Sequence, residues 1–242
     1  MNGTTERITL HSDILEHTFE LYVYLPAHYN PLYTYHLALT QDGRDYFRLG
    51  KIAEHIETAM DEGARQTIVV GVPYPSVRQR REWYHPKSEK SEDYLAFIVK
   101  ELLPFLDKTY QTWNLSHGRT LLGDSLAGTV SLRAALRYPN TFSRVVMHSP
   151  YSDDNIAAEV DNAENTGHFD IYHTIGLEEH TVKTTNGTYE DFLEPNRKLA
   201  EALEKKGARY CYKELEGGHF WKVWEADMLP ALRFMYDITP PS

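Results

Sequence analysis

The chain has 242 residues, 41% of them hydrophobic and 25% charged, which is an ordinary globular composition with length enough to bury a sizeable core. A formal net charge of −10 argues against a general nucleic-acid binder, whose phosphate contacts need a basic surface. No apolar run approaches the roughly 18–20 residues that span a bilayer, the opening MNGTTERITLHSD lacks a signal-peptide pattern, and the one cysteine, Cys211, permits no internal disulfide, so a cytoplasmic protein with no membrane partner is expected.

Taken in chain order, RITLH and FELYVYLP read as two strands, the second alternating and ending at Pro26. HLALTQDG is a short apolar run stopped by a turn signal, and KIAEHIETAMDEG after it has helical spacing closed by Gly63. QTIVVGV is a compact β-branched run suited to a strand buried on both faces. A long polar loop, PYPSVRQRREWYHPKSEKSED, leads into the amphipathic helix YLAFIVKELLPFLDKTY. The strand RTLLGD, the helix LAGTVSLRAALRYP, the strand FSRVVMHS, a second long loop and the strand FDIYHTIG follow. HTVKTTNGTYED looks like an inserted hairpin, and the chain closes with the helix FLEPNRKLAEALEKKG, the strand RYCYKEL and a helix from about Trp221.

Strands alternating with helices imply an α/β fold: a mostly parallel sheet of about eight strands covered by helices on both faces. With no repeat, low-complexity segment or linker, residues 1–242 are expected to form a single domain with loop insertions at about 74–93 and 150–167. In such sheets ligands sit beyond the carboxyl ends of the strands, so the loops after each strand are where chemistry belongs.

LLGDSLAGTV, residues 121–130, is the most informative of these loops. Gly123 and Gly128 have the spacing of a phosphate-binding loop, but Thr129 and Val130 stand where that motif requires Lys and then Ser or Thr. The alternative is a nucleophile elbow, a strand, a turn so tight that the residues flanking its serine must be small, and a helix whose N-terminus faces a developing oxyanion. Gly123 and Ala127 flank Ser125 at minus two and plus two, giving G-x-S-x-A rather than G-x-S-x-G. A plain strand-to-helix corner packed with small residues would look the same, so context has to decide.

A serine hydroxyl needs a base within hydrogen-bond reach and a carboxylate to hold that base. His219 lies in EGGHFWKVWEADML, after the last strand and before the last helix, with two glycines that let the loop bend back towards Ser125. His148, His168, His173 and His180 lie in or near strands without such a loop and read as structural. Glu179, three residues after Gly176, stands where a triad acid would, with Glu178, Glu190 and Asp191 as competitors, since the hairpin could deliver Asp191 to the same place. The main-chain N–H of Leu126, and that of Arg44 in the TQDGRDYF loop, are the candidate oxyanion donors.

On these residues the chain resembles the "putative esterase" family of α/β-hydrolases, which includes enterochelin esterases and S-formylglutathione hydrolases. The resemblance runs through ALTQDGRDYF, RREWYHP, GDSLAG, FSRVVMHSP, NRKLAEALEKKG and GGHFWKVWEADMLPAL, nearly the whole length. It implies an α/β-hydrolase fold and a metal-free, cofactor-free serine esterase in which Ser125 and His219 carry the chemistry. Two departures stand out: SPYSDD stands where relatives often have a pair of aromatic residues after SPS, so the pocket wall should differ, and the hairpin lengthens the acid segment, which leaves Glu179 open.

The expected activity is cleavage of a small-molecule ester through an acyl-enzyme, either a siderophore or a short acyl or aryl ester, with the loops 74–93 and 150–167 selecting it. Arg78, Arg80 and Arg81 could attract an anionic substrate or could simply be solvated or paired with Glu82. Nothing resembles H-E-x-x-H or a cysteine ligand set, so no metal is expected. A non-catalytic binding protein on the same fold, and a thioesterase or acyltransferase, are the rival readings. A homodimer is compatible with the sequence, which is silent on oligomeric state.

Overall fold

The computed structural model of the chain describes residues 3–238. It starts with strands β1 (Thr4–Ser12) and β2 (His17–Leu25), then β3 (His36–Gln41), the short helix α1 (Gly43–Arg48), α2 (Ile52–Asp61) and β4 (Thr67–Val72). Helix α3 (Val77–Tyr84) precedes α4 (Ser91–Phe97), which continues through a π-helical turn, Ile98–Leu102, into α5 (Leu103–Thr109). The second half runs β5 (Arg119–Asp124), α6 (Leu126–Arg137), β6 (Arg144–His148), α7 (Asp154–Asn162), β7 (Asp170–Gly176), β8 (Val182–Lys183), β9 (Tyr189–Glu190), α8 (Leu193–Glu204), β10 (Arg209–Leu215) and α9 (Trp221–Met235).

Eight strands form one sheet in the order β1-β2-β4-β3-β5-β6-β7-β10, while β8 and β9 make a separate two-stranded hairpin. β1 and β2 are antiparallel to their neighbours, and the pairs from β4 across to β10 are parallel. The central strands are apolar at successive positions because they are covered on both sides, and their side chains divide by parity. Leu37, Leu39, Leu121, Val145 and Met147 belong to one apolar cluster, while Ala38, Leu122 and Val146 belong to the other. On the first face Val130, Leu132, Leu199 and Leu203 come from α6 and α8; on the second, Ile52, Ile56, Met228, Leu232 and Met235 come from α2 and α9.

The two segments expected as loops each hold a helix. α3 has Ser76 as its N-cap, whose hydroxyl accepts from the Gln79 N–H at 3.2 Å, yet buries only Arg80, Trp83 and Tyr84. α7 is capped by Asp153, which accepts from Asn155 and Ile156 N–H at 3.0 and 3.1 Å, and buries only Ile156 and Val160. The buried positions are spaced as a helix requires, but they number only three and two, one of them an arginine, within stretches that otherwise read as polar loop.

The register brings the functional end into line. Asp124 pairs with His148, His148 with Thr174, and Gly176 with Leu215. The chain therefore leaves β5, β6, β7 and β10 at a common edge, where Ser125, Ser149, Glu179 and His219 follow.

Candidate active site

Ser125 sits between β5 and α6 with φ 51° and ψ −127°, a sparsely populated conformation for a residue with a side chain. The turn is fixed on both sides: the Ser125 N–H donates to the His148 carbonyl at 2.9 Å, and its own carbonyl accepts from Thr129 N–H and Tyr151 N–H, each at 3.2 Å. Gly123 is obligatory here, since a Cβ at that position would lie 2.1 Å from the Ala127 carbonyl carbon and oxygen. Ala127 itself is fully buried, and its methyl group is accommodated where the commoner motif has glycine.

His219 is delivered by the loop between β10 and α9, which turns at Gly217 with φ +114°. Its Nδ1 lies 2.7 Å from Glu179 Oε2, and Phe192 and Trp224 pack edge-on against its ring, with centroids at 4.6 and 4.9 Å. With Nδ1–H donated to the carboxylate, Nε2 is left as the basic nitrogen. Ser125 and His219 line one cavity of about 80 Å³.

Glu179 is fully buried. Its Oε1 accepts from the Gly176 N–H at 2.9 Å and from the Ser149 hydroxyl at 2.6 Å, and Ser149 Oγ in turn accepts from Trp224 Nε1 at 3.0 Å. The competing acids are placed elsewhere. Asp191 Oδ1 accepts from the N–H groups of Leu193 and Glu194 at 2.8 and 3.3 Å, capping α8; Glu178 is exposed; Glu190 lines the cavity and bonds to Thr188.

Leu126 is the first residue of α6, ahead of the first intrahelical bond from Thr129 to the Ser125 carbonyl, so its N–H has no partner within the helix. Arg44 lies in the first turn of α1, where the same holds, and its side chain turns away to a separate groove with Tyr22 and Phe47. Asp42, in the left-handed conformation with φ 56°, opens that helix and is buried.

Three arginines from one short run meet three different fates. Arg78 is solvated and pairs with Glu82 at 2.8 Å. Arg80 is buried; its guanidinium grips both oxygens of Asp42 at 2.6–2.9 Å and its Nη2 reaches the Asp124 carbonyl at 3.4 Å. It thus ties the turn after β3 to the turn after β5. Burial works against its charge, but the Asp42 carboxylate outweighs that and holds Arg80 above the usual arginine range. Arg81 lines the Ser125 cavity.

Beneath Ser125, Asp124 is buried with Oδ1 unpartnered, and burial followed by the nearby Asp42 carboxylate pushes its carboxyl well above the usual range. Cys211 lies half-buried in β10, and burial pushes its thiol up, away from the reactive thiolate. Among the described residues no cluster of His, Cys, Asp or Glu could hold a metal ion, and no helix is long and apolar enough to cross a membrane.

The cavity walls differ from expectation. The segment 74–93 contributes Arg80 and Arg81, whereas 150–167 contributes Tyr151 alone, because α7 packs away against α8. The hairpin β8–β9 supplies the opposite wall, with Val182, Lys183, Thr184, Thr185 and Glu190. The sequence marked this hairpin in HTVKTTNGTYED, as a route for Asp191 and not as a cavity wall. The other histidines are used in packing: His173 bonds to Tyr210 and Asn196 at 2.8 and 2.7 Å, His168 to the Pro139 carbonyl at 3.1 Å, and His148 is fully buried beside Asp227, whereas His180 is exposed.

A mostly parallel sheet with helices on both faces and a serine on a strained strand-to-helix turn defines an α/β-hydrolase. The chain belongs to the "Putative esterase" family, whose model matches residues 12–235, and it is a carboxylic ester hydrolase. The uncharacterized protein YjcH of Bacillus subtilis (strain 168) is 44% identical over 235 residues, 97% of this chain and 98% of its own. The ferric enterobactin esterase of Salmonella typhimurium shares the fold with a TM-score of 0.81 at 15% identity, over 97% of this chain but only 58% of the other. An IroE-like serine hydrolase from Shewanella oneidensis gives 0.78 at 19% identity, over 97% of this chain and 80% of the other. A ferulic acid esterase gives 0.79 at 17%, with 98% of each chain covered.

Proposed function

We propose that the chain hydrolyses small-molecule carboxylic esters by way of an acyl-enzyme, with Ser125 as nucleophile, His219 as general base and acid, and Glu179 as the carboxylate that orients it. The observation that carries this reading is the 2.7 Å contact between Glu179 Oε2 and His219 Nδ1 on a histidine that lines the same cavity as Ser125.

In the first half-reaction the Ser125 hydroxyl adds to the ester carbonyl carbon while His219 Nε2 takes its proton. The oxyanion is received by the main-chain N–H groups of Leu126 and Arg44. The carbon–alkoxide bond then breaks and His219 returns the proton to the leaving alcohol. Water repeats the sequence on the acyl-serine, releasing the acid and restoring the serine hydroxyl. Throughout, buried Glu179 stabilises the imidazolium that forms twice per turnover.

Tyr151, Phe192 and Leu126 line the cavity together with Ser125, and Arg81 and Lys183 are among its other lining residues. Esters with an aromatic or short acyl group suit these apolar walls, and the proteins of similar fold include a ferric enterobactin esterase and a ferulic acid esterase. The test is intact-mass analysis after treatment with a fluorophosphonate, on the wild type and Ser125→Ala, alongside turnover of aryl and short acyl esters. A single adduct that disappears in Ser125→Ala, with turnover lowered by roughly 10⁵–10⁶ as when a triad nucleophile is lost, supports the reading. A wild type that turns over esters without forming an adduct, or a Ser125→Ala variant that keeps its rate, overturns it.

A further inference from the structure

We propose that Ser149 and Trp224 are positioning residues, a directed chain of hydrogen bonds that holds the Glu179 carboxylate, and through it His219, in the reactive arrangement. The inference rests on the reading of Ser125, His219 and Glu179 given above.

Trp224 Nε1 donates to Ser149 Oγ at 3.0 Å, Ser149 Oγ donates to Glu179 Oε1 at 2.6 Å, and Glu179 Oε2 receives His219 Nδ1 at 2.7 Å. An indole N–H can only donate, so it fills an acceptor position of the serine oxygen and leaves the single hydroxyl proton to point at Glu179. The serine cannot move to another partner. It is buried, has φ 48°, and its own N–H is tied to the Thr174 carbonyl at 2.7 Å. With the Gly176 N–H also on Oε1, that oxygen is saturated and Oε2 alone is left for the imidazole.

Donors in series also polarise one another, so the indole makes the hydroxyl a stronger donor than it would be alone. Trp224 acts on His219 from a second side, since its ring lies edge-on to the imidazole with interplanar angle 88°. The two contributions can be separated, because phenylalanine keeps a ring there and removes the N–H.

The prediction concerns how readily the Glu179–His219 pair takes up a proton. Hydrogen bonds donated to a carboxylate favour its charged form, so deleting one makes the pair more basic. The charged or titratable groups that line the cavity with His219 are Arg80, Arg81, Lys183, Glu190 and Tyr151, Glu178 and His180 flank Glu179 in the chain, and none of these is altered by the substitutions.

The experiment measures the second-order rate of fluorophosphonate labelling at Ser125, by intact mass, from pH 4.5 to 9. It compares wild type, Ser125→Ala, Ser149→Ala, Trp224→Phe and the double variant. Ser149→Ala is expected to slow labelling on its plateau by roughly ten- to a hundredfold, the scale for groups that orient a functional histidine from one step away, and to move the acidic limb to higher pH. Trp224→Phe should move the limb in the same direction by less. The double variant should match Ser149→Ala alone, because without the hydroxyl the indole N–H has nothing to act through.

An acidic limb unmoved in both single variants, or shifts that simply add in the double variant, overturns the chain of bonds while Ser125 labelling stands. If Ser149→Ala does not fold, Trp224→Phe alone decides by the same limb. A wild type that takes no label, or a label that persists in Ser125→Ala, overturns the nucleophile assignment itself and this inference with it.

Discussion

Glu179 Oε2 stands 2.7 Å from His219 Nδ1 across 40 positions of sequence, while the carboxylate of Asp191, only a short hairpin further on, is occupied in capping α8. The two acids are therefore separable by substitution. Glu179→Gln offers an amide N–H where the imidazole needs an acceptor, disfavouring the productive tautomer. A fall in kcat of roughly 10³–10⁴ is expected, as for the corresponding change in a serine protease triad. Asp191→Ala should leave kcat/KM unchanged and remove a helix cap worth about 1 kcal/mol, which lowers Tm by about 2–4 °C for a chain of this size. Steady-state kinetics with thermal unfolding on both variants checks this, and the reverse pattern would hand the acid's role to Asp191.

Gly123→Ala tests the elbow from beneath. The new methyl group would meet the Ala127 carbonyl at 2.1 Å, against rigid main chain that includes the start of α6. Overpacking of this kind costs roughly 1–3 kcal/mol, and relief requires Ser125 or the Leu126 N–H to shift. Labelling of Ser125 should slow far more than the loss of Tm alone explains. A variant that is destabilised but labels at the wild-type rate would show that the turn tolerates displacement.

Much of this site was legible because its chemistry is tied to strand ends. Gly123, Ser125 and Ala127 declare a tight turn, and Gly217 and Gly218 before His219 declare a loop that can fold back. The proposed acid, Glu179, was visible only as one of four, because what sets it apart is its burial and its contact with His219, which no local pattern encodes. Ser149 and Trp224 were invisible for a related reason: they lie 75 positions apart, and their hydrogen bond exists only after β6 and α9 have packed. Helices α3 and α7 escaped because each buries only two or three positions within a stretch that is otherwise polar. The arginine run was read as one feature, yet register on α3 buries Arg80 against Asp42 and leaves Arg78 in solvent.

The Asp124 carboxyl, buried with its Oδ1 unpartnered, gives a pH signature of its own. Its folded value is raised by burial and then by Asp42, so the folded state binds a proton more tightly than the unfolded chain does. Stability therefore falls as pH rises from the ordinary aspartate value near 3.8 through the raised one. Asp124→Asn keeps the shape and removes the charge. It should raise Tm, and raise it more at pH 8 than at pH 4.5. A gain that does not depend on pH would mean that the carboxyl is not held up in the folded state.

His36 and His173 impose the opposite slope. Burial is the largest cause in each, followed for His36 by Arg144, and both are lowered from 6.5 to about 4. For His173 the Asn196 contact partly opposes the shift. The unfolded chain thus binds more protons than the folded one in the window between these values. The stability that the neutral rings contribute is fully present above about pH 6.5 and is lost as pH falls towards 4. His173 is the better probe, because its ring is fully buried and fixed by Tyr210 and Asn196. His173→Gln keeps a polar group at the site and removes the titration. Its Tm should be lower than that of the wild type at pH 7.5, and the gap should narrow steadily down to pH 4.5. A gap that stays constant across this range would show that His173 charges no more readily in the unfolded chain than in the fold.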